Sequence, residues 1–572
     1  MIYFSIFCPI FALKKNTQST FKKMFSKNIV KNYFLFLLSF HLQKKYTQKT
    51  FTFYIIFISL FFPQCVSQSQ QIDENSIIPS PKREMRAVWI VTLDNKDFPS
   101  KPNLSVSEQK AELRSILDFH QRRGMNAIFF QVRPSADAFY KSKYELWSEW
   151  LCGKQGKAPE TDFDPLAYII DESHKRNMEL HAWFNPYRAI YRQKKSSIAY
   201  NHITKTQPSW FVEYNKQIHF NPGLPEVRKY LINIIMDVVK RYDIDGVHFD
   251  DYFYPYKINN KEFPDEKTYQ THQKNFTNIS DWRRNNVDIL IKTIHDSLKI
   301  TKPYVKLGIS PFGVWRNKTE DNRGSQTQVG QTCYDILGAD VRKWLENGWI
   351  DYVAPQLYWQ IGHQKADYKE LVNWWAKNSF DKHVYIGHAF YKVRGEEGDQ
   401  WQNKNEISRQ INLNRTIPKI NGSAYFRAKS LMDNYLFMTD SLHKKYYYRP
   451  AIIPTMPWKD NTPPEPPQNI KKIFTQKRVV LQWESAHTTL PQEKTHYYIV
   501  YRFEEKEKTN QDDNKKVEVF DFENSENIIS IQKETIFYEK LTEKKYKYFL
   551  TAVDRLHNET KPIEILEDKQ EK

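Results

Sequence analysis

Eight apolar, strand-like runs recur through the middle of the chain, with helical periodicities between them, and few folds accept that alternation. The runs are residues 85–93, 127–133, 179–186, 245–253, 306–314, 351–359, 383–390 and 423–429. Residues 106–123 set Ile116, Leu117 and Phe119 against charged neighbours. Residues 226–242 carry Val227, Tyr230, Leu231, Ile234, Ile235, Val238 and Val239 on one helical face. Residues 281–298, 339–346 and 368–375 read the same way. Strands alternating with amphipathic helices predict a (β/α)8 TIM barrel. Loop lengths add to the case. Helix-to-strand joins are short, as at Arg123-Gly124-Met125 and Asn347-Gly348-Trp349, whereas residues 134–162, 187–221, 254–280 and 315–336 form long, aromatic strand-to-helix joins. In a barrel those long loops gather at the C-terminal mouth, where active sites lie. A doubly wound open sheet is the rival, but no Gly-rich phosphate loop follows the first strand.

The pattern changes after Trp458. Thr462-Pro463-Pro464-Glu465-Pro466-Pro467 reads as a stiff extended linker, and short alternating β segments follow at 479–483, 497–502 and 546–554. A small all-β sandwich of the fibronectin type III sort is expected, with Trp483 in its core and Tyr548 in the core or at a corner. The domain reading is therefore a leader at 1–67, a linker at 68–83, the barrel at 84–458, a Pro-rich linker at 459–467 and the sandwich at 468–572.

The leader carries nine lysines and no Arg, Asp or Glu, half of the chain's formal charge of +18. Lys44, Lys45 and Lys49 precede an apolar run at 51–62, and Cys65-Val66-Ser67 offers small residues before a cut at Ser67–Gln68. This is the layout of an export signal, and the apolar run is short for a membrane span. Lipid anchoring through Cys65 is the less favoured alternative, because Phe62-Pro63-Gln64 departs from the small-residue pattern expected there. Two further apolar patches, 2–13 and 33–42, fit either a start codon placed too early or a membrane anchor. Without the leader the basic excess is mild and forms no clustered stripe, which argues against nucleic acid and is compatible with an anionic cell envelope. Cys152 and Cys333 are too few and too far apart for a disulfide framework or a zinc site, and no cofactor is called for.

The chemistry is expected at the strand tips. Asp245-Gly246-Val247-His248-Phe249-Asp250-Asp251-Tyr252 reads as a buried strand delivering carboxylates to the mouth. Asp250 is the first candidate for an ionised nucleophile or base, held charged by Arg133. Asp251 is the adjacent second acid, turned away by strand alternation unless the strand ends before it. Asp94, Asp137, Glu149 and Asp340 are alternative partners, each also readable as a loop acid or helix cap. Gln131, Arg133, His181, Trp183, Asn185, His248, Tyr252, Gln356, Tyr358 and Trp359 are candidate sugar-binding groups. Amides and charges bond hydroxyls, and rings stack on apolar sugar faces. His388, Arg427 and Lys429 are expected at the seventh and eighth tips. His248 and His181 read equally well as satisfied histidines of the barrel wall. No His-x-x-x-His pair occurs, which speaks against a metal-dependent deacetylase.

Six blocks in order then carry a resemblance. They are Glu84-Met85-Arg86-Ala87-Val88-Trp89-Ile90, Phe130-Gln131-Val132-Arg133-Pro134, His181-Ala182-Trp183-Phe184-Asn185-Pro186-Tyr187-Arg188, residues 245–255, Gly308-Ile309-Ser310-Pro311-Phe312-Gly313 and Ala354-Pro355-Gln356-Leu357-Tyr358-Trp359. Together they resemble the bacterial glycosyl-hydrolase-like family 10 proteins over residues 84–458. The resemblance implies an exported TIM-barrel glycosidase acting on peptidoglycan glycan strands, with a trailing fibronectin-like module and Asp250 and Asp251 as the matched acids. The same strand is similar to the Asp-Gly-x-Asp-x-Asp-x-Glu strand of chitinase-like barrels, but His248 and Tyr252 replace its second Asp and its Glu, so substrate-assisted chemistry is not implied. The expectation is a glycoside hydrolase with a polysaccharide substrate. A non-catalytic glycan-binding barrel and a polysaccharide deacetylase are the alternatives.

Overall fold

The computed structural model describes residues 79–394, 401, 405–488, 490–505 and 519–567. The leader, with the export signal and Cys65, lies outside the described residues. Eight parallel strands close into a barrel in sequence order. They are β1 (Met85–Ile90), β2 (Ala127–Arg133), β3 (Glu179–Phe184), β4 (Gly246–Phe249), β5 (Lys306–Ile309), β6 (Tyr352–Val353), β7 (His383–His388) and β8 (Ile420–Tyr425). Helices α1 (Val106–Gln121), α2 (Pro165–Lys175), α3 (Pro225–Arg241), α4 (Ile279–Thr301), α5 (Val341–Glu346), α6 (Tyr368–Lys377), α7 (Asn405–Arg415) and α8 (Ala428–Met432) follow the strands in turn. No helix among the described residues is long and apolar enough to cross a membrane.

The helices form where periodicity and capping agree. Ser105 and Glu108 make a reciprocal capping box at the start of α1, and Pro225 occupies the first turn of α3. Val227, Leu231, Ile234, Ile235 and Val238 line the buried face of α3, each such side chain contributing roughly 1.5–3 kcal/mol.

Several strands are shorter than the apolar runs predict. Pro186, Pro311 and Pro355 lack the N–H that a ladder needs, so β3, β5 and β6 stop before them. After β4 the chain leaves the ladder because the Asp250 carboxylate takes the Tyr252 N–H at 3.3 Å. The eighth strand is displaced: it runs Ile420–Tyr425 rather than 423–429. Gly422 lies close against β1, where a Cβ would come 2.2 Å from the Met85 carbonyl oxygen. Lys429 consequently belongs to α8, and Arg427 forms an ion pair with Asp97 at 2.7 Å.

The barrel lumen is filled by large side chains. Trp89, Phe129, Trp183, Tyr352 and Tyr385 form its apolar cluster. Glycines make the room: a Cβ on Gly308 would lie 1.9 Å from the Tyr352 ring, and one on Gly246 2.4 Å from the His181 ring. Through this packing runs a chain of hydrogen bonds. Trp89 Nε1 donates to His248 Nε2 at 3.1 Å. An indole is a donor only, so His248 carries its proton on Nδ1 and donates to the Tyr352 hydroxyl at 2.9 Å. That hydroxyl donates to His181 Nδ1 at 2.7 Å, and His181 Nε2 donates to Glu179 at 2.9 Å.

The C-terminal region is all-β. Strands β9 (Gln468–Phe474), β10 (Arg478–Glu484) and β13 (Ile536–Lys540) form one antiparallel sheet; β12 (Ile528–Gln532), β11 (Tyr497–Glu504), β14 (Tyr546–Val553) and β15 (Ile563–Glu564) form the other. Trp483, Tyr498, Val500, Tyr548 and Leu550 pack in a shared core. This region and the barrel belong to one compact unit, residues 74–572. The turn after β14 closes the foot of the barrel. His557 Nε2 bonds Glu179 at 2.6 Å, and Arg555 pairs with Asp245 at 2.9 Å. Burial works against ionised Glu179, but the charge of Lys306 and the hydrogen bonds from His181 and His557 hold it well below the ordinary carboxylate range.

Candidate active site

The opposite end of the barrel opens into a cavity of about 450 Å³. Asp250 and Asp251 lie side by side on its wall, 4% and 3% exposed. Because β4 ends at Phe249, strand alternation no longer governs the next residues, and Asp251 faces the cavity together with Asp250. Aromatic rings surround them, including Trp89, Trp183, Tyr252, Tyr256, Tyr358 and Trp359.

The two carboxylates have different neighbours. Asp250 Oδ2 accepts from Asn185 Nδ2 at 2.9 Å and from Trp183 Nε1 at 3.2 Å. Burial raises its pKa, while the nearby Arg188 charge and those donors act to keep it ionised. Asp251 accepts from Gln356 Nε2 at 3.1 Å and from the Tyr256 hydroxyl through a short bond. Burial, reinforced by the negative charge of Asp250, pushes its pKa up to about 7. The surroundings therefore treat the two acids differently: Arg188 and the donors of Asn185 and Trp183 favour the anion at Asp250, while burial and the neighbouring charge favour the proton at Asp251, the division of labour that acid–base bond cleavage uses.

Eight of the residues expected at the site line the cavity: Gln131, Trp183, Asp250, Asp251, Tyr252, Gln356, Tyr358 and Trp359. Gln131 is anchored through its side-chain carbonyl, which accepts from the backbone N–H groups of Thr92 and Leu93. Asn185 lies behind the cavity and acts on it through Asp250. Three expectations need correction. Arg133 does not hold Asp250; its guanidinium is engaged by Glu145 at 2.6 Å and by the Pro186 carbonyl at 3.0 Å. Arg188, two residues beyond β3's proline, supplies the charge instead. His248 and His181 do not reach the mouth, because the lumen network takes both nitrogens of each ring. His388 is likewise buried, bonded to Gln410 and Ser423.

The alternative acids also lie away from the cavity. Asp94 is paired with Arg192, and Glu149 accepts from the Ser197 N–H. Asp340 caps α5 and accepts from Trp315 Nε1 at 3.0 Å. Asp137 is enclosed, and burial pushes its pKa up to about 8. Residues not anticipated include Trp89, Lys96, Arg188, Tyr191, Tyr256 and Lys392. Tyr256, five residues beyond Asp251 on the aromatic loop, was the most legible of them. No cluster of three or more potential metal ligands occurs among the described residues.

Residues 84–403 match the family model described as Glycosyl hydrolase-like 10. Over 489 residues the chain is 44% identical to glycosyl hydrolase YngK of Bacillus subtilis (strain 168), covering 84% of this chain and 92% of that relative. It is 39% identical over 367 residues to glycosyl hydrolase DigH of Escherichia coli (strain K12), covering 60% and 82%. Among solved structures, the PgaB (BpsB) glycoside hydrolase domain from Bordetella bronchiseptica aligns at a TM-score of 0.40 and 12% identity, covering 64% of this chain and 98% of that one.

Proposed function

The chain belongs to the glycosyl hydrolase-like 10 family, and from that premise we propose that it is an exported glycoside hydrolase cleaving O-glycosidic bonds of a cell-wall polysaccharide, the glycan strands of peptidoglycan. A glycosidase-type function follows from the family; the substrate and mechanism are the proposal. One observation carries it: two adjacent buried carboxyl groups with unlike surroundings, donors and a nearby arginine at Asp250, burial and a neighbouring charge that favour the proton at Asp251, share an aromatic-lined cavity. Asp251 is assigned as general acid. It gives its proton to the leaving oxygen as the glycosidic C–O bond breaks. Asp250 stays ionised and faces the positive charge that develops at the anomeric carbon, as nucleophile or as base toward water. Asn185 and Trp183 orient Asp250; Gln356 and Tyr256 orient Asp251.

The test is digestion of peptide-free glycan strands. New reducing ends are expected, and they should vanish with Asp250→Asn. Released acetate without chain cleavage would indicate a deacetylase, and binding without products a glycan-binding barrel; either outcome refutes the assignment. Export rests on residues 44–67, and amino-terminal sequencing of secreted protein should read from Gln68; retention of the leader would refute it. The three-plus-four strand arrangement supports reading residues 468–572 as fibronectin type III-like; an experimental structure with other strand pairing would refute that.

A further inference from the structure

Three arginines are buried among the described residues: Arg86, Arg133 and Arg188. Arg86 is paired with Glu84 at 2.7 Å and Arg133 with Glu145 at 2.6 Å. Arg188 is 7% exposed, yet no carboxylate among the described residues lies within ion-pair distance of it. Its Nε donates to the Pro134 carbonyl at 2.9 Å, and no hydrogen bond from either Nη is formed among the described residues. It is fixed all the same. It sits on a short strand, Arg188–Ile190, paired with Gln217–Phe220, and its backbone N–H donates to Asn185 Oδ1 at 3.0 Å. The rings of Tyr191 and Tyr252 stand 5.5 and 5.6 Å from its guanidinium carbon.

A guanidinium removed from water normally finds an anion, because an unpaired buried charge is costly. Asp250 is not that anion: its Oδ2 is engaged by Asn185 and Trp183, and it feels Arg188 only as a nearby charge. Arg188 lines the cavity, as do Lys96 and Lys392, against Asp250 and Asp251 as the cavity's acids. A planar fork with both Nη groups uncommitted suits a carboxylate, which accepts two parallel N–H bonds. We propose that Arg188 receives a carboxylate carried by the sugar chain, so that the cleft selects an acidic glycan over a neutral one.

The inference rests on the hydrolase reading only in taking the ligand to be a glycan. Amino-sugar oligosaccharides bearing free lactyl carboxylates, and the same oligosaccharides as methyl esters, would be titrated calorimetrically into the full chain carrying Asp250→Asn, so that binding is read without turnover. The acid form should bind about 10- to 100-fold more tightly than the ester, the range for hydrogen bonds to a charged group. Adding Arg188→Gln should erase that preference and leave the affinity for the ester nearly unchanged. Equal affinity for the two forms, no binding of either, or a preference that survives Arg188→Gln overturns the proposal. If the Arg188→Gln chain does not fold, Arg188→Lys, which keeps the charge and loses the planar fork, replaces it and should lower the preference at least several-fold; an unchanged preference in that variant overturns the proposal. Failure of the wild-type protein to generate reducing ends would refute hydrolysis instead, with the binding preference intact.

Discussion

Replacing Asp251 by Asn should abolish glycan cleavage and, above neutral pH, stabilise the protein. The carboxyl is enclosed beside Asp250, which moves its pKa from an ordinary 3.8 to about 7. Three units at about 1.4 kcal/mol each amount to about 4 kcal/mol disfavouring the folded state once Asp251 is ionised. Below about pH 3 both folded and unfolded chains hold the proton, and the group costs nothing. Between the two pKa values the unfolded chain releases its proton first and stability falls as pH rises, with half the loss accrued near about pH 5.4. Above about pH 7 the whole deficit is present. Asn cannot ionise, and its amide can keep both neighbours. The carbonyl accepts from Gln356, and the Tyr256 hydroxyl turns to accept from the new N–H. Urea denaturation of Asp251→Asn and wild type should therefore coincide at about pH 3 and diverge by up to about 4 kcal/mol at about pH 8, the variant being the more stable. The rate of wild-type glycan cleavage should decline above pH 7, where the general acid loses its proton. A variant less stable than wild type at pH 8, or a stability difference that does not change with pH, would show that Asp251 is not the strained acid described.

The remaining expectations concern the rest of the site and its support. Asp250→Asn should lower turnover on glycan strands by orders of magnitude with a near-normal melting curve; a folded variant that still generates reducing ends at the wild-type rate would remove Asp250 from the chemistry. Activity should survive exhaustive chelation, since the assigned chemistry runs through the carboxyl groups of Asp250 and Asp251, each held by protein donors; loss in chelator restored by added metal would reverse this. At the barrel's foot, Glu179→Gln should cost about 3–5 kcal/mol because Lys306 loses a buried counter-charge and His557 loses a carboxylate partner. Urea midpoints measure it, and a change below 1 kcal/mol would mean the C-terminal region is not latched there.

The fold was legible because barrel strands announce themselves. Each must be apolar on both faces, so runs such as Ala-Ile-Phe-Phe-Gln-Val-Arg stand out, and β2 spans just those seven residues. Loop asymmetry then marked the C-terminal mouth. The site was legible in part. Asp250, Trp183 and Gln356 follow from their places at strand tips, where direction is set by the backbone. Strand ends were read too far, since a proline or a side chain capturing the next N–H stops a ladder without changing the hydrophobic pattern.

What the sequence alone determined is therefore the eightfold alternation, the mouth at which polar groups converge, and the adjacent acids that reach it. The tertiary structure decided which of those polar groups are left for a ligand. Arg133 and Arg188 look alike in sequence, both near the tips of neighbouring strands. One is neutralised by Glu145, twelve residues away, and the other faces the cavity without a carboxylate. His248 and His181, on strand faces that point inward, are consumed by Tyr352 across the lumen, and His181 also by Glu179 on its own strand. Partnership of this kind depends on how loops and strands lie once folded, and the local hydrophobic pattern carries no record of it. The pKa that separates Asp251 from Asp250 arises the same way, from burial and neighbours that exist only once the barrel has closed.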